Sequence, residues 1–197
     1  IRELAEAVEL RDLRSTMAET TGVVIDDFKT MADRIWPVIE SELESNDRNL
    51  WFCGHSLGAA VATLCASRCV LSFIESQPAE LHTFGSPRVG SRQYLKHVKL
   101  KHYRWVNYHD PVPLIPEMRS GFDHGGIEMR IDRFGRLTSS RGLQRFIRRL
   151  KARATEFRTP NFGSITPHFS PSYVDAVFDV VRSEEAKSDS PWNSTSI

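Results

Sequence analysis

Asn49-Leu50-Trp51-Phe52-Cys53-Gly54-His55-Ser56-Leu57-Gly58-Ala59-Ala60 is the stretch whose reading decides the fold. Asn49–Cys53 is a short apolar run after the polar break Ser45-Asn46-Asp47, as a buried strand would be, and Leu57 to about Phe73 is an apolar stretch of helical length. Between them stands G-x-S-x-G, Gly54 to Gly58. Strand, tight turn and helix form the context in which that pattern carries chemistry. A serine on so sharp a turn needs neighbours without Cβ atoms, so glycine is expected to be required at both Gly54 and Gly58, where strand and helix approach most closely. The turn projects the Ser56 hydroxyl outward. The N–H of Leu57, at the head of the helix, has no acceptor within the helix and lies at the positive end of its dipole. Ser56 is the candidate nucleophile and Leu57 the candidate oxyanion donor.

Outward from this turn, long amphipathic segments alternate with short apolar ones. Phe28, Met31, Ala32, Ile35, Trp36, Ile39 and Leu43 fall on one face of a helix spanning about Asp26–Glu44, with Pro37 the discordant residue. Further strands are expected at Glu80–Phe84, His102–Tyr108 and about Gly126–Asp132, and a last helix from Ser172 to about Arg182. The pattern predicts an α/β fold, a mostly parallel sheet with helices on both faces. A single domain over residues 1–182 accounts for it, with Ser183–Ile197 read as a disordered polar tail.

The 197 residues carry 26 Lys and Arg against 25 Asp and Glu, a formal net charge of +1. No chain-wide field exists to hold nucleic acid, and no apolar run reaches the length of a spanning helix. Cys53, Cys65 and Cys69 are an odd set, two of them four apart in one helical pattern. They read as small buried hydrophobes and favour a reducing, cytoplasmic compartment over the extracellular one that the sequon Asn193-Ser194-Thr195 would suit. Neither metal-ligand spacing nor a glycine-rich phosphate loop occurs, so no metal and no nucleotide cofactor is expected.

A serine hydroxyl needs a base to take its proton and an anion to orient that base. On this type of fold the chain order is serine, acid, histidine. Asp110 follows the third expected strand in a loop restrained by Pro111 and Pro113 and is the preferred acid over Asp123 and Asp132, which read as turn residues. His168, on a loop before the last helix, is ranked above His124 as the base, because His124 precedes the last expected strand.

Gly54-His55-Ser56-Leu57-Gly58-Ala59-Ala60, then Thr83-Phe84-Gly85-Ser86-Pro87-Arg88-Val89-Gly90, then Asn107-Tyr108-His109-Asp110-Pro111-Val112-Pro113, resemble in order the motifs of the class 3 lipases. The resemblance runs from about Gly22 to Val180. It implies an α/β-hydrolase fold that cleaves carboxylic esters of lipids, such as acylglycerols, without a cofactor. It also implies Ser56 as nucleophile, Asp110 as acid, His168 as base, and His124 as a family histidine outside the triad. Two departures accompany it. Val24-Ile25-Asp26-Asp27-Phe28 replaces a V-H-x-G-F-like segment, and Ile1-Arg2-Glu3-Leu4 holds nothing like the upstream Gly-Thr pair that supplies a second oxyanion donor. The chain thus reads as N-terminally truncated or as carrying an incomplete oxyanion hole. The alternative to an esterase is a lipase-like fold with little turnover that binds lipid or another partner.

Leu143, Phe146, Ile147, Leu150 and Ala154 fall on one helical stripe, with Arg145, Arg148, Arg149, Lys151 and Arg153 opposite. The region 142–154 is read either as a helix packed on the domain or as a contact with a membrane or lipid-droplet surface.

Overall fold

The computed structural model describes residues 22–45, 48–71, 77–117, 120–139 and 166–188. The region 142–154 and its expected helix lie outside the described residues. Five strands form one sheet: β1 (Leu50–His55), β2 (Pro78–Phe84), β4 (His102–Val106), β6 (Ile127–Ile131) and β7 (Leu137–Ser139), in the order β1-β2-β4-β6-β7. The first three pairings are parallel, and β6 and β7 form an antiparallel hairpin. The second arm of this hairpin, β7, is not among the strands expected from the sequence. Asp132 makes its turn, accepting the N–H groups of Phe134 and Arg136 at 2.8 and 3.0 Å, while Gly135 takes a positive φ of 71°.

Helices lie on both faces. On one side α1 (Asp26–Ser45) and α2 (Leu57–Leu71) enclose the main core with Phe52 and Leu81 of the sheet. α1 runs through Pro37 and buries Phe28, Ala32 and Trp36, each one turn further along, whereas Met31 and Ile35 stay exposed. Burying a side chain such as Phe28 contributes about 1.5–3 kcal/mol. On the other face α4 (Ser170–Ser188) sets Tyr173 edge-on to Phe84, with ring centroids 6.2 Å apart. α4 begins earlier than expected and continues to Ser188, so Ser183 to Ser188 are helical rather than tail, and 189–197 lie outside the described residues. Cys65 and Cys69 are buried on α2, their thiols pushed up to about 11 by desolvation, but Cys53 on β1 is exposed, contrary to its reading as a core residue.

The segment around Val24 folds into the core without the histidine and glycine of the resembling motif. Val24 bridges Gly90 in antiparallel fashion, and Val24, Ile25 and Phe28 are all buried. Gly90 opens the short strand β3 (Gly90–Ser91), which pairs with β5 (Phe122–Asp123), and Ser91 caps α3 (Arg92–His97) by accepting from the N–H of Tyr94. Two-residue strands carry too little alternation to be legible in a sequence.

Two histidines are held neutral, His102 at the amino end of β4 and His124 just after β5. His102 bonds Thr83 Oγ1 at 2.8 Å, and desolvation, reinforced by Arg104, depresses it to about 3. His124 is pushed well below its ordinary value by burial and by Arg104 and Arg88. As pH falls below the ordinary 6.5 the unfolded chain takes up protons that the folded chain refuses, so stability is fully present above that pH and declines below it. We expect a loss of up to about 1.4 kcal/mol per pH unit for each of the two, beginning near pH 6.5, ahead of carboxylate titration. Denaturant unfolding at pH 7.5, 6 and 5 checks this, and a midpoint flat over that range would refute it. Glu128 adds a second, more acidic window. Burial opposes its charge, but Arg104 and Arg130, at 2.8 and 2.9 Å, prevail and hold it near 2, so its contribution fades only below the ordinary 4.5.

Candidate active site

Ser56 follows β1 directly and has φ 56°, the one positive φ among the described non-glycine residues. Such a conformation costs roughly 1–2 kcal/mol and persists only where the surroundings impose it. They do so here. The Ser56 N–H donates to Phe84 O at 2.9 Å, and the Ser56 carbonyl accepts from Ala59 and Ala60 at 3.0 and 3.3 Å. A Cβ at Gly54 would overlap the Gly58 carbonyl, so glycine is required there. At Gly58 the expectation fails, because a Cβ at that position meets nothing within 4 Å. The close approach is the strand glycine against the helix backbone, not the reverse. Leu57 is the first residue of α2, where its N–H precedes any intrahelical partner.

Asp110 lies just beyond β4, in a turn closed by its own N–H on Asn107 O at 3.2 Å. The strand stops at Val106, two residues short of expectation, because Tyr108 and His109 turn the chain. The buried carboxylate accepts from Val112 N–H at 2.9 Å and from the Tyr173 hydroxyl at 2.6 Å. Each of its oxygens stands 3.0 Å from His168 Nδ1. His168 ends the turn Thr166–His168, is itself buried, and puts Nε2 2.7 Å from Ser56 Oγ. The structure thus brings Ser56, His168 and Asp110 into one hydrogen-bonded line. Since a carboxylate only accepts, Nδ1 carries the proton and Nε2 turns a lone pair to the serine.

Other candidates lie elsewhere. His124 is half-buried, with Nε2 2.7 Å from Pro113 O. Asp123 accepts from His124 N–H and Arg92, and Asp132 serves its hairpin turn. Among the described residues no three His, Cys, Asp or Glu side chains converge so as to hold a metal ion.

Three contributors to this geometry escaped the sequence reading. Tyr173 joins the acid to the main chain: its hydroxyl donates to Asp110 and accepts from Asn107 N–H at 3.0 Å, and burial together with the Asp110 charge drives its ionisation far upward, keeping it a donor. His55 touches the His168 turn from the serine side. Gly85, with φ 58°, makes room, since a Cβ there would stand 2.7 Å from Asp110 Oδ2 and 3.1 Å from His168 Nδ1. Gly85 was visible as a strand-ending turn glycine; its role depends on residues distant in the chain. We expect Gly85→Ala to lower kcat on a short-chain ester on the order of 10²-fold and to cost about 1–3 kcal/mol of stability through the strained φ and the displaced pair. Steady-state kinetics with thermal melts tests both, and a wild-type kcat would show the pair tolerates the methyl.

A serine on a strained strand-to-helix turn, facing a histidine oriented by a buried carboxylate at the carboxyl ends of parallel strands, places the chain in the α/β-hydrolase class. The chain belongs to the class 3 lipase family, whose description, Lipase (class 3), it matches over residues 5–120. It is 40% identical over 100 residues to the secreted mono- and diacylglycerol lipase A of Penicillium camembertii, covering 49% of this chain and 32% of that protein. It is 41% identical over 70 residues to the toxin TseL of Vibrio cholerae, 35% of this chain and 11% of the toxin. The chain therefore spans about a third or less of these curated relatives. Among solved structures, the triacylglyceride lipase of Rhizomucor miehei superposes with a TM-score of 0.54 at 26% identity, over 60% of this chain and 48% of that one. The mono- and diacylglycerol lipase of Aspergillus oryzae gives a TM-score of 0.61 over 72% of this chain and 56% of that one, at 22% identity, a likeness of fold.

Proposed function

We propose that this chain hydrolyses carboxylic esters of lipids, acylglycerols foremost, through an acyl-enzyme on Ser56. The observation that carries the reading is the 2.7 Å contact between Ser56 Oγ and a His168 whose other nitrogen is held by Asp110. In this reading His168 Nε2 takes the hydroxyl proton as Oγ adds to the ester carbonyl, and the Leu57 N–H faces the oxygen that becomes anionic. Collapse of the adduct breaks the ester C–O bond, and His168 returns the proton to the departing alcohol. Water then repeats the sequence against the acyl-serine and releases the acid. Asp110 holds His168 Nδ1 and balances the imidazolium that forms. The Gly-Thr pair that the resemblance leads one to expect upstream is not found at Ile1-Arg2-Glu3-Leu4, and that segment lies outside the described residues.

Acylglycerol is named because several of the matching proteins are mono- and diacylglycerol or triacylglyceride lipases by name. Labelling by a fluorophosphonate probe, lost on Ser56→Ala, together with fatty acid release from a diacylglycerol emulsion, tests the proposal. A wild type that resists the probe would favour a lipid-binding module with little turnover. Contact with an anionic lipid surface through 142–154 belongs to the same reading; replacing Arg145, Arg148 and Arg149 by Glu should then slow hydrolysis on anionic vesicles and spare a soluble ester. The cysteine pattern suggested a cytoplasmic compartment, which the relatives named as secreted do not favour. No described helix is long and apolar enough to cross a membrane.

A further inference from the structure

We infer that His55 is a positioning residue for this reaction, its Nε2–H holding the main-chain carbonyl of His168 and so setting the separation of His168 from Ser56. The inference rests on the ester hydrolysis proposed above. His55 Nε2 lies 2.6 Å from His168 O. A carbonyl oxygen only accepts, so Nε2 carries the proton, and Nδ1 offers its lone pair to the Ser170 hydroxyl at 3.1 Å. Both ring nitrogens are thereby engaged in one neutral tautomer.

The placement of the ring explains why this bond bears on Ser56. His55 is the last residue of β1, in register with Phe84 of β2, and therefore mounted on the sheet next to the serine. His168 sits on a three-residue turn, anchored on one side by Asn107 Nδ2 donating to Pro167 O at 3.2 Å and on the other by His55. The His55 ring packs 4.8 Å from the His168 ring and edge-on to Tyr173 at 5.6 Å. The titratable groups facing it are His168 and Tyr173, and the Asp110 charge acts on it as well. Desolvation lowers its affinity for a proton, which suits the site, because a His55 cation would oppose the imidazolium that His168 becomes during turnover.

Two substitutions separate the hydrogen bond from the packing. His55→Gln keeps an N–H within reach of the carbonyl and loses the ring, while His55→Phe keeps a ring and loses the donor. With the full chain, the rate of fluorophosphonate labelling and kcat on a soluble short-chain ester should fall on the order of 10- to 100-fold in His55→Phe, with KM unchanged within about threefold. His55→Gln should stay within about fivefold of wild type on both readouts. The reverse ranking, Phe active and Gln impaired, would assign His55 to packing and overturn the inference, as would equal rates in all three proteins. Should His55→Phe not fold, His55→Leu takes its place against Gln and the ranking reads the same way. A wild type that never labels overturns the hydrolase reading itself, and this inference with it, a result distinct from either ranking.

Discussion

Replacing Ser56 by alanine is expected to remove fluorophosphonate labelling entirely and to lower kcat on a short-chain ester by about 10⁴–10⁶, with His168→Ala nearly as damaging and the double variant no worse than either. The reason is that the two side chains share one proton through a single 2.7 Å contact. Removing either end leaves the other without a task. Ser56→Gly offers a second readout. It should be equally inactive, yet more stable than Ser56→Ala by about 1 kcal/mol, because glycine occupies a φ of 56° without the Cβ strain that any other residue bears there. Denaturant midpoints of the two variants measure that difference directly. A Ser56→Ala protein with substantial residual hydrolysis would place the nucleophile elsewhere, and a Ser56→Gly protein less stable than Ser56→Ala would mean that the turn is not strained.

Asp110→Asn is expected to fold and to lose about 10⁴ in kcat. The Asp110 carboxylate takes hydrogen bonds from Val112 N–H and the Tyr173 hydroxyl and faces His168 Nδ1 with both oxygens. An asparagine must keep its oxygen toward the fixed Val112 N–H, which turns its amide NH₂ to the Oδ2 position. Nδ1 then meets a donor. The histidine responds by moving its proton to Nε2, where it faces Ser56 and can no longer accept. The Tyr173 hydroxyl retains the Asn107 N–H, so the loop need not collapse. Kinetics beside a melting curve distinguish this from unfolding: an inactive protein with near wild-type stability is the expected result, and an active Asp110→Asn would show that the carboxylate does not set the tautomer.

Much of the site was legible because much of it is local or ordered along the chain. The turn at Ser56 is written in adjacent residues, and the strand ends at Phe84 and near Asp110 carry their own Gly and Pro punctuation. Asp123 and Asp132 read as turn residues from their neighbours, and both occupy turns or short strand ends. Gly58 shows the limit of that reading. The motif demands two glycines, but steric need is a property of facing surfaces, and only Gly54 has backbone opposite it. Cys53 is similar, since an apolar neighbourhood in sequence does not say which face of a strand will be covered. The end of α4 was missed for another reason: polar residues after Arg182 do not by themselves stop a helix, and no glycine or proline intervenes before Ser188.

By itself, then, the sequence determined the alternation of strands and helices, the turn that carries Ser56, and the chain order of serine, acid and histidine, because each depends on neighbouring residues or on the sequence of strand ends. Only the tertiary structure decided that His168 rather than His124 meets Ser56, that Gly85 leaves space for the Asp110–His168 pair, and that Tyr173 and His55 grip the acid and the histidine turn. Those contacts join residues brought together by the parallel sheet from distant parts of the chain, and hydrogen-bond geometry at that range is fixed by how strands and helices pack, which no local pattern of residues encodes.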